Sequence, residues 1–135
     1  MAVSVNKRLL VVDDHPVNRR LPGMLLRDFP WQCSEAESGE AALIALRQTL
    51  NEPYDCVLLD ISMPEVSGID ICTTIKTSAD LKHLRVIAYT AHAFSDTVKK
   101  IMAAGFDAIL VKPITRKSLL AALDPENAAT GLTPP

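Results

Sequence analysis

Four short apolar runs in this sequence end in residues that can do chemistry. Arg8-Leu9-Leu10-Val11-Val12 runs into Asp13-Asp14, and Cys56-Val57-Leu58-Leu59 into Asp60. Arg85 to Tyr89 runs into Thr90, and Asp107 to Val111 into Lys112. Three carboxylates gathered at one place repel, so one must take up a proton or a cation must join them. A hard, partly hydrated divalent ion with oxygen ligands answers that need, and Mg²⁺ is the default. Lys112 would add a point charge suited to a carboxylate or phosphate. Thr90 would add a hydroxyl donor. A nucleophilic carboxylate, a metal, an ammonium and a hydroxyl together describe a site that takes a phosphoryl group, its oxygens neutralised by the metal and the lysine.

The runs themselves must supply the positioning. Apolar stretches without polar alternation fit strands covered on both faces, as in a parallel sheet. A weaker, partly polar run, Gln32 to Ala36, suits an edge strand. Helices are expected between the strands. Pro16 suits a first helical turn, but Pro22-Gly23 falls inside that helix, predicting either a kink or an early end. Ser38 is placed to cap a second helix with a stripe of Ala42, Leu46 and Leu50, supported by Leu43. Gly68 to Thr77 carries Ile71, Cys72 and Ile75 on one side. Ser95 or Asp96 is expected to cap a helix bearing Val98, Ile101 and Met102 that stops at Gly105. Thr115 is expected to cap a last helix through Leu123.

Strand and helix thus alternate five times. Parallel strands need right-handed helical crossovers, so the expected fold is an α/β three-layer sandwich with a five-stranded parallel sheet and five helices. Strand order 2-1-3-4-5 puts the switch in winding between strands 1 and 3. Asp13, Asp14 and Asp60 then meet in one crevice at the strands' carboxyl ends.

With these marks in order, the chain resembles the receiver domains of two-component response regulators. They are Asp13-Asp14, Asp60 with Met63-Pro64 and Gly68 beyond it, Thr90-Ala91, and Lys112-Pro113. The 2-1-3-4-5, flavodoxin-like order is the one that family is known for. The resemblance covers Lys7 to Leu123, leaving 124–135 as a flexible tail or linker. It implies that Asp60 accepts phosphate from a phosphohistidine on a histidine kinase or histidine phosphotransfer protein. It implies Mg²⁺ held directly by Asp14, Asp60 and the backbone carbonyl of Ser62, and by Asp13 partly through water. Thr90 would hydrogen-bond the acyl phosphate, and Lys112 would bind a phosphate oxygen beside a cis bond to Pro113. Asp14-His15-Pro16-Val17-Asn18-Arg19 and Thr90-Ala91-His92-Ala93 are similar to receivers attached to hybrid histidine kinases. One departure is Ile109, where many receivers carry a switching Tyr or Phe.

Composition narrows the alternatives. The chain has 135 residues, 48% apolar and 22% charged, enough for one core. A net charge of -2 gives no footing for nucleic acid or an anionic membrane. No apolar run could span a bilayer, and Met1 to Lys7 lacks a signal-peptide pattern, so the expectation is a cytoplasmic protein. The three cysteines, with no CxxC pair, read as reduced and packed. His15 and His92 flank the site, with solvated side chains the ordinary expectation. His83 is expected at the surface, and Tyr89 and Trp31 as packing aromatics. A structural ion-pair cluster is the bland alternative for the acids and Lys112, but buried charges are costly to keep without a use. Functional alternatives are a receiver that binds partners without phosphate, a Mg²⁺-dependent aspartyl-phosphate phosphatase, and a flavin module. The phosphatase would need an acid two positions after the nucleophile, where Ser62 stands. The flavin module would need a phosphate loop where Asp13-Asp14-His15-Pro16 stands.

Overall fold

A computed structural model describes residues 7–49, 51–62, 68–91 and 94–124. Its strands are β1 (Lys7–Val12), β2 (Trp31–Ala36), β3 (Cys56–Asp60), β4 (Arg85–Thr90) and β5 (Ala108–Val111). Between and after them run α1 (Pro16–Leu25), α2 (Gly39–Gln48), α3 (Gly68–Thr77), α4 (Ser95–Ala103) and α5 (Arg116–Leu123). All strands are parallel, in the order β2-β1-β3-β4-β5.

Side-chain alternation along each strand sorts the apolar residues into two cores. Leu10, Val12, Val57, Leu59, Val86 and Ala88 face Ala42 and Leu46 of α2, Ile71, Cys72 and Ile75 of α3, and Ile101 of α4. Leu9, Val11, Cys56, Leu58, Ile87, Tyr89 and Leu110 face Leu26, just past α1, and Leu119 and Leu123 of α5. β3 is buried at every position, because it lies at the centre of the sheet with helices on both faces.

Local chemistry sets three of the helix ends, at Ser38, Thr115 and Gly105. The Ser38 hydroxyl accepts the Ala41 N–H at 3.0 Å. Thr115 accepts the Ser118 N–H and forms a reciprocal box with the Ser118 side chain. Gly105, at φ +101°, takes the left-handed turn that ends α4, a conformation a side chain would strain.

Several expectations are corrected. Pro22 does not end α1; the helix runs to Leu25, and the Leu26 N–H still bonds the Pro22 carbonyl at 3.0 Å. The proline forfeits one bond, to Asn18, while its ring is buried and the helix is anchored by Leu21, Leu25 and Leu26. Neither Ser95 nor Asp96 caps α4. Phe94 takes the extended N-cap conformation with no side-chain cap bond, so Ser95 is already helical. Met102 is 51% exposed rather than part of the buried stripe, since α4 buries only Ile101 fully. β2 begins one residue earlier than expected, at Trp31, and Asp107 lies just outside β5, its carboxylate accepting the Val86 N–H. Leu50, Met63-Pro64, His92-Ala93 and the tail from 125 lie outside the described residues.

Candidate functional site

Sheet register brings the strand tips together. Val12 pairs with Leu59, so Asp13 stands one step on, beside Asp60. Asp60 pairs with Tyr89, and Thr90 with Val111, next to Lys112. The Lys112 N–H donates to the Thr90 carbonyl at 2.8 Å, fixing the lysine backbone at the rim. The Lys112–Pro113 bond is cis.

The side chains converge. Lys112 Nζ lies 3.4 Å from Asp60 Oδ2 and 3.9 Å from Asp13 Oδ2. The same ammonium sits 4.4 Å from the centroid of the Tyr89 ring, an aromatic face suited to a cation. Asp60 is 2% exposed, and its Oδ1 accepts the Ser62 N–H at 2.8 Å. Asp13 is fully buried; its Oδ1 accepts the His15 N–H at 2.9 Å, while its Oδ2 takes no hydrogen bond among the described residues. Thr90 is buried at the end of β4, on the same face as Val86 and Ala88. Asp14 is partly exposed, and its Oδ1 lies 3.0 Å from His15 Nδ1.

The electrostatics follow from this crowding. Burial raises the Asp13 carboxyl above the usual aspartate range; the nearby Asp60 reinforces the rise, and the His15 N–H and Lys112 only partly offset it. The Tyr89 hydroxyl is pushed up to about 12 by burial and then by the charges of Asp13 and Asp60. A divalent cation fits these residues: the donors are carboxylate oxygens, and one buried oxygen of Asp13 has no hydrogen-bond donor among the described residues. Ligand atoms of Asp13, Asp14 and His15 lie within 4.8 Å of one another. Asp60 is not part of that tight group and stands against Lys112 instead.

The roles of three contributors escaped the sequence. Tyr89 is more than packing, because its ring forms the floor under the Lys112 ammonium. Gly68 does more than begin a helix: a Cβ there would lie 2.5 Å from the Asp60 carbonyl oxygen and 2.8 Å from Ile61 Cα. Only glycine lets α3 start that close to the acid's own backbone. Arg19, in α1, donates from Nη1 to the Asp13 carbonyl at 3.0 Å and from Nε to Glu35 at 3.1 Å. Nothing in its spacing separates it from a solvated charge, and Arg20 beside it is exposed.

A doubly wound parallel sheet with acids, a hydroxyl and an ammonium at its carboxyl rim defines an α/β protein of the flavodoxin-like fold. The chain belongs to the response regulator receiver domain family of two-component signal transduction, whose sequence profile matches residues 9–124. It is similar to the signal transduction histidine-protein kinase BarA of Escherichia coli (strain K12), 36% identical over 111 residues. That match takes in 82% of this chain and 12% of the kinase, so the chain spans a small part of that relative's length. It is similar to the chemotaxis protein CheY-3 of Vibrio cholerae, 36% identical over 120 residues, covering 88% of this chain and 90% of that protein. Among solved structures it resembles the receiver domain of sensor histidine kinase PA1611 from Pseudomonas aeruginosa, which has a magnesium ion coordinated in its active site cleft. The TM-score is 0.75 at 26% identity, over 89% of this chain and 96% of that one. Among the described residues no helix is long and apolar enough to cross a membrane.

Proposed function

We propose that Asp60 is the phosphoacceptor of this receiver domain and that a phosphohistidine, on a histidine kinase or a histidine phosphotransfer protein, is its donor. The observation that carries this is the placement of Lys112 Nζ at 3.4 Å from Asp60 and 3.9 Å from Asp13 at one rim. A carboxylate oxygen of Asp60 forms the new P–O bond as the donor's P–N bond breaks, and the bonding pair leaves with the imidazole nitrogen. Lys112 neutralises a phosphoryl oxygen that moves into its reach. Thr90 offers its hydroxyl from the end of β4. The Ser62 N–H holds Asp60 Oδ1 at 2.8 Å, which orients the carboxylate before the donor arrives.

Asp13, Asp14, Asp60 and the backbone carbonyl of Ser62 would hold Mg²⁺. Bound there, the ion supplies charge neutralisation for the acids and the phosphoryl oxygens. The relation to PA1611, solved with magnesium in its cleft, and the undonated Asp13 oxygen support this assignment.

The domain, residues 7–123, turns over no outside metabolite in this reading. It signals through its surface to a protein partner in the cytoplasm, without contacting nucleic acid or membrane. The residue two beyond Asp60 is Ser62, a hydroxyl where an aspartyl-phosphate phosphatase needs an acid, which favours an acceptor over a hydrolase. Incubation with Mg²⁺ and acetyl phosphate or phosphoramidate tests the assignment. One base-labile phosphoryl group per chain, absent in Asp60→Asn, is the expected result. Uptake that survives Asp60→Asn would refute it.

A further inference from the structure

Asp13 and Asp14 sit on a turn, not a strand, so something must fix that turn for their carboxylates to share an ion. The Asp13 N–H is held by the Ala36 carbonyl of β2 at 3.2 Å. Its Oδ1 is held by the His15 N–H at 2.9 Å. Its carbonyl, which sets the plane of the peptide leading into Asp14, is held by Arg19 Nη1 at 3.0 Å. The Arg19 N–H donates to the His15 carbonyl at 2.9 Å, so backbone and side chain of one residue close on the same turn.

Arg19 is itself fixed. Its Nε pairs with Glu35 of β2 at 3.1 Å, and its side chain is only 15% exposed. The guanidinium fork spends one arm on Glu35 and another on Asp13, a two-point geometry that a lysine ammonium does not reproduce. The guanidinium stands against the carbonyl of the acidic turn, and its partner Glu35 lies on the neighbouring strand, one residue before the Ala36 that holds the Asp13 N–H.

We propose that Arg19 is a positioning residue for the divalent cation: held by Glu35, it locks the Asp13–Asp14 peptide so that both carboxylates are presented to one ion. This rests on the assignment of the rim as a Mg²⁺ site. Groups that orient metal ligands from behind typically change metal affinity about 10–100-fold when removed.

Calorimetric titration of the folded domain with Mg²⁺ tests it, with thermal unfolding as the control for folding. Arg19→Gln is expected to weaken Mg²⁺ binding about tenfold. Arg19→Lys should fall between Arg19→Gln and the unaltered protein. At saturating Mg²⁺, acetyl phosphate uptake by Arg19→Gln should return to near the unaltered rate, because Arg19 touches no reacting atom. A merely structural residue would lower the unfolding temperature without this split between affinity and saturated rate. If Arg19→Gln does not fold, Glu35→Gln is the second variant, with a weaker loss of Mg²⁺ affinity expected. An unchanged Mg²⁺ affinity in whichever folded variant is measured, or a rate that stays low at saturation, overturns the proposal. Failure of the unaltered protein to bind Mg²⁺ instead overturns the assignment of the rim itself.

Discussion

Replacing Asp13 by asparagine should stabilise the metal-free protein, although it removes a partner of Lys112. At 3.9 Å the Asp13–Lys112 attraction is worth about 4 kcal/mol at an effective dielectric constant of about 20. Against it stands the repulsion from Asp60. Two oxygens lying 3.4 and 3.9 Å from the same ammonium are at most about 7 Å apart, so they repel by roughly 2 kcal/mol or more on the same scale. Burying a carboxylate completely costs several kcal/mol more. The two penalties exceed the attraction, in agreement with the raised Asp13 carboxyl. Asparagine keeps an oxygen for the His15 N–H and can turn an amide donor toward Asp60. The expected gain is about 1–2 kcal/mol, or roughly 4–8 °C in unfolding temperature for a domain of this size. The assay is thermal unfolding at pH 7 with a chelator present. A less stable Asp13→Asn protein would show that the Lys112 pairing outweighs burial and repulsion, and the electrostatic reasoning would be wrong.

The pH dependence has a definite sign. The folded-state pKa of Asp13 lies above its unfolded value, so its contribution to stability is fully present below the unfolded pKa. That contribution is lost as pH rises through the raised folded value. Metal-free protein should therefore lose an increment of stability as pH climbs out of the ordinary aspartate range, and Asp13→Asn should lack that increment. Mg²⁺, bound as proposed, should reverse the balance at pH 7. A ligand at about a hundred times its dissociation constant adds about 2.7 kcal/mol, and Asp13→Asn should lose most of that gain.

Two further substitutions probe the rim. Gly68→Ala forces a methyl against the Asp60 carbonyl and Ile61 Cα, both backbone, so a destabilisation of about 1–3 kcal/mol is expected in denaturant unfolding. Full stability there would mean that α3 can start elsewhere. Lys112→Ala should slow acetyl phosphate uptake about a hundredfold while leaving Mg²⁺ binding intact or tighter, because in the proposed site the ammonium would stabilise the transferring group and compete with a cation for the acids it faces at 3.4 Å. Equal loss of both would place Lys112 in the metal site instead.

The strand order was expected from the order the receiver family is known for, whereas the four strand tips were legible because they rest on strong signals. Cys56 to Leu59 has no polar residue to put outside, so it must be a central strand, and the charge that ends it must be at the rim. Ser38, Thr115 and Gly105 were legible because caps depend on one or two neighbouring residues. Pro22 and the start of α4 were not. Whether a proline ends a helix depends on what the turns around it bury, here Leu21, Leu25 and Leu26 against a core built partly from α5. Whether Ser95 caps or begins a helix turns on the backbone angles of Phe94, which no residue type dictates.

The parts of the site that the sequence hid share one property: they act through backbone or through faces. Asp60, Asp13 and Lys112 could be named from residue type, because a charge at a strand end announces itself. Arg19 acts on a carbonyl, Gly68 by yielding space to one, and Tyr89 by lying flat beneath an ammonium. Each needs the tertiary register before its role exists. The chemistry-bearing atoms of this rim are therefore specified locally, while their spacing is specified by α1, α3 and β4. Under the proposed function, a second chain carrying the same acids and lysine would share the reaction, but its cation affinity and its saturated rate would be set separately. On the proposal made for Arg19, the first would depend on the guanidinium held against the carbonyl of the acidic turn.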